Sequence, residues 1–237
     1  MDKIKDFLLV SKDAVKLTFN SVKKANYLFI FLIIYNIYNV IDYFFVKSFF
    51  AGILSYFALI FIFCFIVNIL NSIVNYDVSG KNDITNSISR YYSPVINSVF
   101  TVYIIKYLIN YTTSVLNITL ISEIIIYVIF QIIISSILEL IYIDEYYGFD
   151  IIIESIRFIY KNILIWLVDI IPFIIINEIL KNKLFFLFLT QQKVNSIIII
   201  LILAGFHTIY LIFKGNLFKI LKTSSFRKRQ FERGFKF

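Results

Sequence analysis

Charged side chains are unevenly spread along the chain, and long apolar stretches separate them. No charged residue occurs from Ser48 to Tyr76, and none occurs from Asn195 to Phe213. Apolar stretches of about 18 residues or more match the hydrocarbon thickness of a bilayer. A soluble protein of 237 residues could not cover this many helices that are apolar all round. The pattern therefore predicts an all-α integral membrane protein.

The apolar stretches predict six transmembrane helices within a single domain, 1–218, followed by a basic tail, 219–237. The third and fourth spans lie so close in sequence that a tight turn near Asn117 must join them. The predicted spans are 27–46, 49–73, 95–116, 118–141, 163–181 and 196–217.

The stretch 142–162, YIDEYYGFDIIIESIRFIYKN, interrupts the apolar pattern with four acidic residues. Asp150 follows Gly148 and suits a helix N-cap. Charged residues then recur at spacings of four, three and four, which places them on one stripe of a helix. Isoleucines and aromatic residues fill the other faces, so the segment is expected to lie in the membrane interface with its charges in water. The stripe consists of Asp150, Glu154, Arg157 and Lys161.

Two further segments resemble this one and begin at Asp13 and Asn82. The three starts are 69 and 68 residues apart, and each precedes two predicted spans. This predicts three interfacial amphipathic helices on one side of the membrane and suggests a threefold repeat of interfacial helix, span, span. The alternative is that any six-span protein with its longer loops on one side looks periodic.

Lysine and arginine are strongly biased toward one side of the predicted topology. That side carries 18 of them, in the N-terminal segment, the second and fourth loops and the tail, against 4 on the other side. Cytoplasmic loops carry the excess of basic residues, so both termini are predicted to be cytoplasmic. The N-terminal segment lacks the continuous apolar region of a signal peptide, and we expect the first span to serve as an uncleaved signal.

The amino-acid composition indicates the kind of organism that the protein comes from and limits the chemistry that its side chains can perform. Phe and Tyr number 27 and 17, whereas Gly, Pro and Trp number only 6, 2 and 1. With Ile, Asn and Lys also heavily used, this favours an AT-rich genome and a low-GC Gram-positive bacterium. The single Cys64 allows no intrachain disulfide. His207 is the only histidine, which excludes multi-histidine metal sites. With no catalytic or nucleotide-binding motif, we expect no enzymatic activity and no cofactor.

Ionisable residues within the spans are the strongest candidates for function, because burying a charge in lipid is costly unless it is paired. Lys106 and Asp169 lie about 18 Å and about 12 Å into spans of the same direction. His207 lies at similar depth, and Pro172 is expected to kink the fifth span. These four residues could line a polar cavity, or Lys106 and Asp169 could form an ion pair that joins two helices. Near span ends, and so expected to reach water, are Asp42, Glu123, Glu139 and Glu178.

The tail 214–237 carries eight basic residues and one acid, interleaved with five phenylalanines. Basic and aromatic residues together suit an anionic bilayer surface. Nucleic-acid binding is the rival interpretation, and tethering to the membrane favours lipid; the charges could also serve topology alone. A membrane-protein partner or a homo-oligomer stays open. The candidate lipid-contacting residues are Arg227, Lys228, Arg229 and Arg233.

Short motifs before the first, third and fifth spans carry a family resemblance. They are Ala14, Phe19, Lys23-Lys24 and Asn26; then Gly80, Ile84-Thr85 and Ser87-Ile88; then Asp144-Glu145, Gly148, Ser155 and Lys161-Asn162. In this order they resemble the membrane domain of glycerophosphoryl diester phosphodiesterases and of related stand-alone bacterial membrane proteins. The glycine that the family has between Lys and Asn is missing, and nothing in the chain corresponds to the soluble catalytic domain.

The resemblance implies a six-span membrane module without the phosphodiesterase activity. Together with the residue pattern, it predicts a non-enzymatic protein of a bacterial cytoplasmic membrane that associates with lipid or binds a partner. The alternative is a small transporter or permease component that uses the mid-membrane polar residues.

Overall fold

The computed structural model describes residues 3–45, 48–116 and 119–234 of the chain. In these ranges the regular structure is helical, with a short 3₁₀ helix at Lys81–Asn86 and no strand. The α-helices are α1 (Lys3–Val22), α2 (Asn26–Phe45), α3 (Phe49–Tyr76), α4 (Ser87–Val115), α5 (Leu120–Ile134), α6 (Ile137–Ile143), α7 (Asp150–Leu189), α8 (Lys193–Thr223) and α9 (Phe226–Gly234).

Six helical segments of the described chain are long and apolar enough to cross a membrane. The protein is therefore a multi-pass helical membrane protein. Five spans correspond to α2, α3, α4, α7 and α8, and the fourth combines α5 and α6. Asn117, where a tight turn is predicted, lies outside the described residues, between the end of α4 and the start of α5.

The first turns of α1, helix α9 and the longer connections lie on one face of the helical bundle, which we call the terminal face. Side-chain contacts between distant parts of the sequence define it. Lys24 Nζ lies 2.5 Å from Asp77 Oδ2, and Lys222 Nζ lies 2.9 Å from Asp144 Oδ2. Near the two chain ends, Asp6 pairs with Arg229. The ends of α2, α4 and α7 and the starts of α3, α5 and α8 lie on the opposite face.

Helix α8 forms the centre of the bundle, and α1, α2, α3 and α7 pack around it. Half of its spanning window is buried, the largest share among the six spans described. Next to its terminal-face end, the rings of Phe158, Trp166 and Phe218 cluster, with centroids 4.3–6.1 Å apart. Trp166 and Phe218 are fully buried. This aromatic cluster fixes α8 against the first half of α7.

The segment 150–161 continues directly into the fifth span. Only one residue inside α7 has non-helical backbone angles, Asn162, with φ −124° and ψ 16°. Its side-chain amide donates to the Phe158 carbonyl at 3.0 Å. No glycine or proline lies near this point, so the helix bends here without ending. The interruption therefore falls ten residues before Pro172, where the sequence predicts a kink.

The fifth span also extends further than its predicted end. Helix α7 runs to Leu189, eight residues beyond the predicted boundary at 181. The charged residues Lys181 and Lys183 suggest a loop, but the apolar stretch LFFLFL follows them directly and extends the helix. Gln191, with φ +56°, then reverses the chain.

Candidate functional site

A cleft of about 860 Å³ opens on the terminal face, where α1, α7, α8 and α9 meet. The first turns of α1 and the α7 residues around the bend at Asn162 line it. The end of α8 and the start of α9 supply the rest of the lining. The cleft therefore depends on the bend in α7, which turns the segment 150–161 away from the axis of the span.

One wall of the cleft is apolar and follows the fifth span. Residues 163–165 and Val168 occupy the first turns of α7 after the bend and line this wall. They belong to a helical segment that can cross the membrane. Further apolar lining residues are Ile4, Phe7, Leu221 and Phe226. The cleft thus joins the edge of the apolar bundle to the terminal face.

The rest of the lining is charged and net positive. Five basic residues face two acidic ones: Lys3, Arg157, Lys161, Lys222 and Arg229 against Asp6 and Glu154. A net-positive lining attracts anionic groups, and the attraction is strongest where the surrounding walls exclude water.

Three of the five cations are paired with carboxylates. Arg229 is 5% exposed, and its Nε and Nη2 donate to the Asp6 carboxylate at 3.1 Å and 2.8 Å. Arg157 pairs with Glu154, three residues earlier on the same helix. Lys222 pairs with Asp144, as described above.

Lys3 and Lys161 are the cations of the lining that remain without a carboxylate. Both side chains are exposed, and neither forms an ion pair or side-chain hydrogen bond with the part of the chain that is described. They come from different helices, α1 and α7. An anion that enters the cleft would therefore meet two ammonium groups that make no ion pair with the described residues.

The helical segment 150–161 has three distinct faces. One face is buried in the protein and includes Ile151, Ser155 and Phe158. The charged stripe of Asp150, Glu154, Arg157 and Lys161 lies beside it, as the sequence spacing predicts. The third face is apolar but exposed: Ile153 is 49%, Ile156 47% and Tyr160 83% accessible. An exposed apolar face next to a charged one suits a helix at the edge of a lipid layer.

The four basic tail residues proposed from the sequence occupy different environments. Arg227 and Lys228 are exposed on α9. Arg229 is buried between α9 and α1, and its Nη1 also donates to the Ser224 carbonyl, so its guanidinium serves a protein contact and is not free for lipid. The side chain of Arg233 lies outside what the structure describes. Asp6 is 223 residues away from Arg229, and no local sequence signal links them.

The residues proposed as a mid-membrane cluster make no ion pair with one another in the described structure. Lys106 is exposed on α4, whereas the Asp169 carboxylate accepts a hydrogen bond from Ser11 Oγ at 2.7 Å. His207 Nε2 contacts Asn177 Oδ1, and Pro172 is exposed. No ion pair joins Lys106 to Asp169 in the described structure. Because α1 packs against the bundle, Ser11 reaches Asp169, which sequence spacing alone could not reveal.

A buried ion pair that the sequence did not predict lies between α6 and α8. Glu139 is 0% exposed, so the expectation that it reaches water is wrong. Lys214 Nζ lies 3.3 Å from Glu139 Oε2 and donates to the Ser135 carbonyl at 3.0 Å. This carbonyl lies at the break between α5 and α6, where the regular helical bonding is interrupted. Trp166 Nε1 also donates to Ser135 Oγ, at 2.8 Å.

No protein-family model, curated protein or solved structure matches the chain. The resemblance to the phosphodiesterase membrane domain therefore stays a prediction. Among the described residues, no group of three or more His, Cys, Asp or Glu side chains is placed to hold a metal ion.

Proposed function

We propose that the protein is a non-enzymatic lipid-binding module of a bacterial cytoplasmic membrane, and that the terminal-face cleft takes the headgroup of an anionic phospholipid. The observation that carries this proposal is the composition of the cleft. Its net-positive rim holds two unpaired lysines, and its apolar wall continues along the first turns of a spanning helix. A headgroup phosphate would lie between Lys3 and Lys161, with an acyl chain along 163–168.

The orientation of the protein agrees with this assignment. The excess of 18 basic residues over 4 favours a cytoplasmic terminal face. That side of a bacterial membrane is rich in anionic lipid, and each basic residue near such a surface contributes about 1 kcal/mol of attraction. The segment 150–161, with its charged and exposed apolar faces, would then lie in the inner interface.

The proposal extends to the three segments that precede the spans. In each unit a helical segment comes first and is followed by two spans. The first segment is α1, which a turn separates from α2; the second comprises the 3₁₀ helix and the first turns of α4; and the third bends into its span at Asn162. The shared order of helical segment, span, span supports a common unit. The transport alternative has less support, because Lys106 forms no ion pair with Asp169 in the described structure.

Lipid titration of the purified protein tests the proposal. Binding of phosphatidylglycerol is measured by native mass spectrometry or by the shift of the thermal midpoint, with phosphatidylcholine as the neutral comparison. We expect Lys3→Ala with Lys161→Ala to weaken phosphatidylglycerol binding by about 10- to 30-fold, since two contacts of about 1 kcal/mol are removed. Lys183→Ala is the matched control, because Lys183 is exposed near the opposite face.

Two results would contradict the proposal. One is equal binding of phosphatidylglycerol and phosphatidylcholine to the unaltered protein. The other is an equal loss of binding in the double variant and in Lys183→Ala, which would indicate a general charge effect and not a site.

A further inference from the structure

The described part of the protein does not balance all the positive charges of the terminal-face cleft. The lining holds five basic and two acidic side chains. Three of the cations have carboxylate partners, and one of those partners, Asp144, comes from outside the lining. Within the described residues, two positive charges of the lining are therefore left over, on Lys3 and Lys161.

The two acids of the lining are already engaged and do not balance these lysines. Asp6 is 1% exposed, and its carboxylate accepts hydrogen bonds from Arg229 at 2.8–3.2 Å. Moving Asp6 toward Lys3 would leave the buried guanidinium without a counter-ion, which is strongly unfavourable. Glu154 pairs with Arg157 on the same helix. A bound molecule that balances both lysines has to bring the negative charge itself.

The number of charges on a headgroup then decides how well it suits the cleft. A headgroup with one negative charge, as in phosphatidylglycerol, balances one ammonium group and leaves the other. A headgroup with two negative charges balances both, and the apolar part of the lining increases its advantage, because charges attract more strongly where less water surrounds them. We infer that the cleft prefers a lipid whose headgroup carries two negative charges. This inference rests on the lipid-binding function proposed above and adds the charge of the headgroup.

Two kinds of phospholipid carry this charge. Phosphatidic acid has a phosphomonoester with a second pKa of about 6, so most of it is doubly charged above neutral pH. Cardiolipin joins two phosphodiesters in one headgroup, and each keeps a single charge near neutral pH and below it. The apolar lining residues 163–165 and Val168 favour either lipid over a soluble phosphate ester. The shared chemistry is a dianionic headgroup with acyl chains.

Lipid titration of the purified full-length protein, slightly above neutral pH, tests the inference. Native mass spectrometry compares cardiolipin, phosphatidic acid and phosphatidylglycerol with matched acyl chains. We expect a dianionic lipid to bind about fivefold more tightly than phosphatidylglycerol, which is the effect of one additional charge paired with a basic residue. Lowering the pH to about 5 should remove the excess for phosphatidic acid and leave that for cardiolipin, which identifies the source.

Single variants test whether the excess comes from the two lysines and not from the additional acyl chains of cardiolipin. Lys3→Ala and Lys161→Ala should each bring the dianionic lipid to within about twofold of phosphatidylglycerol, because one remaining ammonium is balanced by one charge. Lys161→Arg keeps the charge and should keep the excess, as should Lys183→Ala near the opposite face. All three lysines are exposed, so the thermal midpoint without lipid should not change.

The inference is wrong if neither dianionic lipid binds more tightly than phosphatidylglycerol, or if the excess survives in either single alanine variant. The headgroup site itself would withstand that result, provided that phosphatidylglycerol is still preferred over phosphatidylcholine and the preference is lost in the double variant. Equal binding of these two lipids would contradict both proposals. Displacement of the bound lipid by an equal concentration of glycerol 3-phosphate would indicate a soluble ligand and would also overturn the inference.

Discussion

Glu139 and Lys214 form an ion pair that the surrounding protein encloses. Removing two charges from water is costly, and the pair offsets this by its mutual attraction and by the Ser135 carbonyl bond. Such a pair adds little stability over an apolar replacement. Breaking it from one side is different, because the remaining charge is buried without compensation. The break between α5 and α6 leaves the Ser135 carbonyl free to accept a hydrogen bond from Lys214, which lowers the cost of burying the ammonium group.

A double-mutant cycle on this pair should show strong coupling. Lys214→Met alone and Glu139→Gln alone should each lower the free energy of unfolding by about 3–5 kcal/mol. Combining Glu139→Gln with Lys214→Met should recover most of that loss, because no charge stays buried. Lys183→Met, at an exposed lysine, should change little. Unfolding in detergent measures the effects, and simple addition of the two losses would mean that the side chains do not interact.

Asp169 should couple to Ser11 and not to Lys106. Ser11→Ala removes a hydrogen bond to a carboxylate, and such bonds contribute about 1.5–3 kcal/mol. The losses from Ser11→Ala and Asp169→Asn should therefore overlap in a double variant. Losses from Lys106→Met and Asp169→Asn should be independent. Measuring both cycles under the same conditions distinguishes the two partners, and coupling of Asp169 to Lys106 would contradict the structure.

The helical segment that carries the charged stripe has one buried and two exposed faces. Protein covers Ile151, Ser155 and Phe158, while the isoleucines Ile153 and Ile156 are exposed. These faces follow from the spacing of residue types alone, which is why the stripe could be predicted from the sequence. The continuity of this segment with the fifth span could not, because nothing in the sequence distinguishes a bend at Asn162 from a helix end.

Cysteine accessibility in membranes should reproduce the three faces. Cysteines at Glu154 and Arg157 should react with aqueous thiol reagents. Those at Ile152 and Ile156 should not, because lipid shields them, and one at Ser155 should be shielded by the protein. In denaturant all five should react. Equal labelling of all positions in the intact membrane would mean a solvated segment with no interfacial face.

Long apolar stretches made all six spans predictable, because length and hydropathy are local properties. The contacts between the spans could not be predicted from the sequence in the same way. Helix α1 was expected at the interface, and its small residues Val10, Ala14 and Thr18 are buried in the structure. Thr18 Oγ1 accepts a hydrogen bond from Asn216 at 3.4 Å. Pairings between residues about 200 positions apart depend on the packed bundle and leave no mark on either segment alone.

The whole bundle brings the terminal helices α1 and α9 to one face, where Asp6 and Arg229 join them. The same face gathers the connections before the third and fifth spans. Six spans require the two termini to lie on one side, whereas the distribution of lysine and arginine predicts which side of the membrane that is. The cleft was not predictable, because its lining comes from four helices and its shape depends on the bend in α7.

Reporter fusions should place the terminal face in the cytoplasm. A reporter after Phe237 and one inserted after Tyr147, which is 54% exposed, should both report cytoplasmic location. Gly80 is a poorer insertion site, since an added Cβ there would lie 3.3 Å from Ser72 Cβ and its φ is +71°. A reporter after Gln192, at the opposite face, is the control and should report the exterior. An external signal at either terminal-face site would reverse the orientation.

Photolabelling with an anionic phospholipid most directly tests whether the terminal-face cleft holds a headgroup. A phosphatidylglycerol analogue with a photoreactive headgroup is incorporated into membranes that contain the protein, and the adducts are mapped by mass spectrometry. We expect adducts at 3–7 and 157–165, competed by unlabelled phosphatidylglycerol and not by phosphatidylcholine, and lost in Lys3→Ala with Lys161→Ala. Adducts spread along the spans, or equal competition by both lipids, would contradict a headgroup site in the cleft.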